Sequence, residues 1–119
     1  SRTGTLMANK FINTFVELTT ADITTVYTCP VATVALIKSI SVYNNNAGSV
    51  DITVSVQDDS SSTLFPYAQK ASLATKIKTE FLAGDASSIL ILEEADILKV
   101  QSTIADPVVT LSILEQDRT

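Results

Sequence analysis

The chain has 119 residues, 45% hydrophobic and 18% charged, which is enough apolar material for one core and too much for a disordered chain. Eight Lys and Arg against thirteen Asp and Glu leave a net charge of −5, so a nucleic-acid backbone would find no basic face on which to release its counterions. No apolar run reaches the roughly 18 residues of a membrane helix, and a single cysteine excludes an intramolecular disulfide.

In chain order, Ser1 to Leu6 read as an expression remnant and Met7-Ala8-Asn9 as a natural start, so that residues 7–119 form one domain. No charged-then-apolar signal segment precedes it, which predicts synthesis and folding in a cytoplasm. Phe11, Ile12, Phe15, Val16 and Leu18 have a spacing that suits a helix or a strand, and Thr14 and Thr19 tilt the balance to a strand. If Ile12, Val16 and Leu18 face the core, Phe11 and Phe15 fall on the opposite face. Two exposed phenylalanines on an edge element are costly for a monomer and normal at an interface, so Phe11 and Phe15 are the candidate interface residues.

Ile23 to Cys29 is β-branched and Thr-rich and stops at Pro30. Cys29 reads as a small buried hydrophobe with no basic neighbour in sequence to activate its thiol. Val34 to Tyr43 predicts a strand whose alternation breaks around Lys38, as at a bulge. Asn44-Asn45-Asn46-Ala47-Gly48, rich in residues that tolerate positive φ, predicts a hairpin connection into Val50 to Gln57. There four apolar residues alternate with four polar ones, which describes a half-buried strand. Asp58 to Ser62 is a polar loop.

Thr63 to Ala68 contains Pro66 and suits a sheet edge. Leu73, Ile77 and Phe81 again allow helix or strand, and Thr75 and Thr79 favour a strand. After the Gly84-Asp85 turn come strands over Ser88 to Glu93 and Asp96 to Ile104, then a turn at Asp106-Pro107 and a last strand over Val108 to Leu114.

Short strands at spacings of roughly 8–12 residues predict an all-β, antiparallel β-sandwich of about eight or nine strands, jelly-roll-like in topology. Alternation assigns its core to Ile40, Val42, Val50, Ile52, Val54, Val56, Ile77, Phe81, Leu90, Val100, Leu111 and Ile113.

Catalytic equipment is thin. The chain has no histidine, which removes His-assisted nucleophiles and the commonest zinc and iron ligand sets. Three scattered glycines make no phosphate loop. Asp58 with Asp59, and Glu93 with Glu94 and Asp96, are the acidic clusters. Adjacent acids in loops point apart, and the spaced oxygen ligands of a calcium loop are missing. No catalytic residue, cofactor or metal ligand is therefore expected, and no small-molecule pocket. A carbohydrate- or receptor-binding module is the competing expectation, with Tyr27, Tyr43 and Tyr67 as stacking candidates.

The run Val26-Tyr27-Thr28-Cys29-Pro30 followed by Val34 to Asn44 resembles the opening of small virion proteins of tailed bacteriophages, in which a Tyr-x-x-Pro turn leads into a long strand ending in Asn. Leu82-Ala83-Gly84-Asp85, the apolar strand after it and Ile97 to Ser102 resemble their second half. One departure is the absence of a glycine after the proline, where this chain has Val31 and Ala32. The resemblance implies a structural protein of the virion, a capsid decoration or cement protein or a head-fibre, tail or neck component. It carries no catalytic residues, and its partners would be other virion proteins or further copies of itself.

Overall fold

A computed structural model describes residues 9–82 and 88–118. The leader reading at residues 1–6 and the Gly84-Asp85 turn lie outside the described residues. Within them the chain forms nine strands and no helix: β1 (Asn9–Glu17), β2 (Thr24–Thr28), β3 (Thr33–Tyr43), β4 (Val50–Asp58), β5 (Thr63–Leu73), β6 (Lys78–Glu80), β7 (Leu90–Leu92), β8 (Ile97–Ser102) and β9 (Val108–Asp117).

They build two antiparallel sheets, β1-β9-β3-β6 with β7 also paired to β3, and β2-β8-β4-β5. β7 pairs with Ala35 to Ile37 and β6 with Ser41 to Tyr43, so the two are successive pieces of one edge along β3. Counted as one, they leave four strands per sheet. Successive strands then alternate between sheets everywhere except at β4 and β5, the order of a jelly roll.

Two expectations are corrected. The Asn44–Gly48 segment is not a hairpin: β3 lies in the first sheet and β4 in the second, so the chain crosses the sandwich there. Asn44 drives the crossing. Its side chain is fully buried, its Nδ2 donates to the carbonyls of Gly48 and Leu73 at 2.9 Å, and its Oδ1 accepts from the Asn46 N–H. Asn chemistry makes the chain turn, but the long-range bond to Leu73 decides into which sheet. The second correction is the Leu73 to Phe81 strand. Leu73 closes β5, the chain turns at Thr75 and Lys76, and only Lys78–Glu80 pairs with β3. Ile77, expected in the core, is 51% exposed on that turn.

The break at Lys38 is a bulge: the β3–β9 register shifts between Ile37 and Ser39. Above it Ala35 and Ile37 point inward, below it Ile40 and Val42 do, and all four are buried. Glu80 closes the gap that the bulge leaves at the edge. Its carboxylate accepts from Ser39 Oγ at 2.6 Å, from the Ile40 N–H at 2.9 Å and from the Leu82 N–H at 3.0 Å. β5 is a sheet edge with Pro66, as expected, and runs on to Leu73.

Of the expected core, Ile40, Val42, Val50, Ile52, Val54, Val100, Leu111 and Ile113 are buried, while Val56, Phe81 and Leu90 are half-buried and pack against it. Leu18, Leu73, Leu92 and Leu98 complete the interior. Alternation along β9 also carries Glu115 to the inner face, where Tyr27 Oη donates to its Oε2 at 2.5 Å.

Candidate assembly surface

Of the acidic residues singled out by sequence, Asp58, Glu94 and Asp96 serve as acceptors for backbone and hydroxyl groups. Asp58 Oδ1 accepts from the N–H and hydroxyl of Ser60, and Glu94 Oε1 accepts from the Ala32 N–H at 2.7 Å. Asp96 accepts from the N–H groups of Asp59 and Glu93, tying the loop after β4 to the turn before β8. Among the described residues no group of three or more Cys, Asp or Glu is arranged to hold a metal ion, and no pocket forms.

Cys29 is buried, and its thiol donates to the Thr33 carbonyl at 3.3 Å. Burial, reinforced by the negative charge of Glu115, pushes that thiol up to about 11, the opposite of an activated nucleophile. Burial first, and the bond to Glu115 second, likewise raise Tyr27 far above the ordinary phenol range. Tyr27 is thus a core strut rather than a stacking platform. Tyr43 and Tyr67 are partly exposed but belong to different sheets, at the end of β3 and on the β5 edge. No aromatic cluster gathers them at one end.

The outer faces of the two sheets differ. On the second sheet, outward positions of β4 and β8 hold Thr53, Ser55, Gln57, Lys99 and Gln101, polar throughout although Ser55 is buried, and the β5 edge leaves Leu64, Phe65 and Tyr67 exposed. On the first sheet, β1 places Ile12 and Val16 against the core and turns Phe11 and Phe15 outward, 77% and 69% exposed. The register then continues Phe11 across the sheet: it stands opposite Leu114 on β9, which stands opposite Leu36 on β3, which stands opposite Ile91 on β7. All four point away from the core, with Ile91 60% exposed. One uninterrupted apolar row therefore spans the width of the sheet. Around it lie Asn13, Thr110, Ser112 and Ser41, with Glu17 at one end and Lys38 in the bulge as the charges on β1, β9 and β3.

The sequence reading reached Phe11 and Phe15 and missed Leu36, Ile91 and Leu114. Each of these three is visible as the off-phase apolar residue of its strand. What joins them is register across strands, which no single stretch of sequence contains.

No protein-family model matches the sequence, and neither does any curated protein. Solved structures do match in fold. A subunit of the disulfide-linked pili of Bacillus endospore appendages aligns over 94% of this chain and 88% of its own, at TM-score 0.55 and 10% identity. The Drosophila NLP core, described for its pentamer formation and histone binding, aligns over 87% and 95%, at TM-score 0.53 and 18% identity. The virus-like particle of extra small virus from the prawn Macrobrachium rosenbergii supplies a third, over 100% and 84%, at TM-score 0.49 and 12% identity. At these identities the first two establish a shared β-sandwich fold, and that alone.

Proposed function

We propose that this chain is a non-enzymatic structural subunit of a virus particle, which attaches to its neighbours through the outer face of the first sheet. The observation that carries the reading is the apolar row Phe11, Leu114, Leu36, Ile91 on the outer face of the first sheet, where β1, β9 and β3 contribute only Glu17 and Lys38 as charges. A monomer gains nothing from displaying such a row, whereas a subunit gains the burial of each side chain on assembly, about 25 cal/mol per Å² of apolar area. Acids bound to backbone groups and a thiol made unreactive by burial support a structural rather than a catalytic role. The pilus subunit and the NLP core, the two of these neighbours with the higher TM-scores, use the same sandwich in a pilus and in a pentamer, which suits this reading.

The resemblance to small virion proteins of tailed phages narrows the proposal to a capsid decoration protein or another small virion component, made in the host cytoplasm. The test is to purify particles produced from the genome that encodes the chain and to probe them for it. The protein is expected to co-sediment with particles, and Leu36→Lys with Ile91→Lys to remain folded but in the soluble fraction. Particles that lack the wild-type protein would overturn the proposal.

A further inference from the structure

The four sheet edges are not equally guarded. β2 is five residues long with a register shift, and β5 carries Pro66, two register shifts and a positive φ at Ser72. The β6/β7 edge is split at the bulge and closed there by Glu80. β1 has none of these devices. Its nine residues pair one for one with Gln116 to Val108 without a shift, and among the described residues no strand lies on its other side. Soluble proteins seldom leave so regular an edge open.

The hydrogen-bonding parity of that edge is fixed. The Leu18 N–H donates to the Pro107 carbonyl, and the Leu18 carbonyl accepts from the Asp106 N–H, so the backbone groups of Leu18 face the β9 side. Alternation in an antiparallel ladder then turns those of Lys10, Ile12, Thr14 and Val16 to β9 as well. It leaves the N–H and C=O of Asn9, Phe11, Asn13, Phe15 and Glu17 aimed at the open edge.

We infer that β1 pairs with β1 of a second copy, antiparallel, about a two-fold axis through Asn13, so that the first sheet runs continuously across both copies. This rests on the reading of the chain as an assembling subunit, and it names the occupant and the register. An axis on any residue of β1 brings odd-numbered residues opposite one another, and only Asn13 engages all five of the free ones. The side chains agree with that axis. Phe11 falls opposite the partner's Phe15 and Phe15 opposite the partner's Phe11, giving two aromatic cross-strand pairs per dimer. Glu17 meets the Asn9 amide, Lys10 meets Val16, and no like charges oppose each other. At 77% and 69% exposure, and roughly 200 Å² for a phenylalanine, the rings offer about 600 Å² over both copies, half of the roughly 1,200 Å² at which specific interfaces begin. The nine-residue backbone edges lie alongside to supply the rest. The apolar row of one copy then runs on through Phe11 to the partner's Phe15.

The test is light scattering and sedimentation of the full chain over a range of concentrations, on wild type and Asn13→Pro. The Asn13 N–H points away from β9, so proline there leaves the backbone ladder intact and, besides blocking the edge, removes only the exposed bond that Asn13 Oδ1 accepts from the Ser112 hydroxyl. A wild-type dimer is expected. Asn13→Pro should weaken it roughly 100-fold or more with the β-sheet spectrum unchanged. Should that variant not fold, Asn13→Cys decides the matter. On the axis its Cα lies about 5.5 Å from its mate, within disulfide reach, so mild oxidation should link the dimer. Phe15→Cys, about 13 Å from its own mate, should not link. A wild type that remains monomeric to about 1 mM, a dimer indifferent to Asn13→Pro, or equal cross-linking of the two cysteine variants would each overturn the pairing. Association that survives Asn13→Pro but is lost in Leu36→Lys would refute the edge geometry and leave assembly through the outer face standing.

Discussion

Removing the Glu80 carboxylate by Glu80→Ala tests whether the β3 bulge is held open by a specific acceptor or merely tolerated. Three donors lose their partner: Ser39 Oγ at 2.6 Å, the Ile40 N–H at 2.9 Å and the Leu82 N–H at 3.0 Å. A hydrogen bond to a charged group contributes about 1.5–3 kcal/mol net in mutational series. Glu80 is largely exposed, so water screens it and can replace it for the Ser39 hydroxyl, whereas Ile40 is fully buried and its N–H is harder to rehydrate. A summed loss of about 2–3 kcal/mol follows, against a total stability of about 5–15 kcal/mol. For a domain of this size that lowers Tm by roughly 10 °C. Urea titration followed by circular dichroism should show a lower midpoint at an unchanged slope, and amide exchange should accelerate at Ile40 and Leu82. Lys78→Ala, on the same strand and exposed, is the control. If Glu80→Ala stays within about 0.5 kcal/mol of wild type, the range of an ordinary surface change, the carboxylate does not hold the bulge.

Val54 is fully buried between Ala68 and Val100, so Val54→Asp forfeits about 1.5–3 kcal/mol of burial and adds an unpaired carboxyl. That variant should be largely unfolded by circular dichroism, and a wild-type melt would place the register of β4 wrong by one residue. Tyr27→Phe removes the donor to buried Glu115 and should cost about 1.5–3 kcal/mol by denaturant titration, while an unchanged midpoint would mean water replaces the hydroxyl. Cys29 should resist thiol reagents in the native protein and react on unfolding. Its folded value of about 11 lies above the ordinary 9.0, so the unfolded chain gives up the proton first; the contribution is complete below about pH 9 and lost as the pH climbs to about 11. Midpoints that hold steady across that interval would remove the thiol as the cause. Ala32 sits at φ 52, where a side chain is strained by about 1–2 kcal/mol, so Ala32→Gly should raise Tm despite the greater freedom of the unfolded chain, and a lower Tm would show that its backbone is not strained.

The resemblance to phage virion proteins expects a glycine after the proline, and Ala32, two residues after Pro30, takes the left-handed conformation that glycine favours. Turn position was legible there even though the residue was not. Strand identity was legible wherever a segment buries one face: β4 follows from the alternation of Val50 to Gln57, and the bulge follows from the lapse of alternation at Lys38. Sheet membership was not, because Asn44 specifies a turn locally while its bonds to Gly48 and Leu73 set the plane of that turn. Ile77 failed for a related reason: its spacing to Leu73 and Phe81 matches a periodic element, but a left-handed Lys76 breaks the run. Phe11 and Phe15 of the candidate surface followed from the phase of β1. The other three, Leu36, Leu114 and Ile91, required knowing that β9 lies between β1 and β3.

That last arrangement bears on how the domain is made. β9 is the last strand among the described residues, yet it pairs with β1 along the whole length of β1 on one side and with β3 on the other. Until Val108 to Asp117 have left the ribosome, β1 and β3 have no common neighbour and the first sheet has no centre. With only β4 and β5 joined as a local hairpin, β1 and β3 must wait for β9 before the first sheet can close. Closure of the first sheet therefore waits for Val108 to Asp117, and a chain that lacks them would carry β1 and β3 without the strand that joins them.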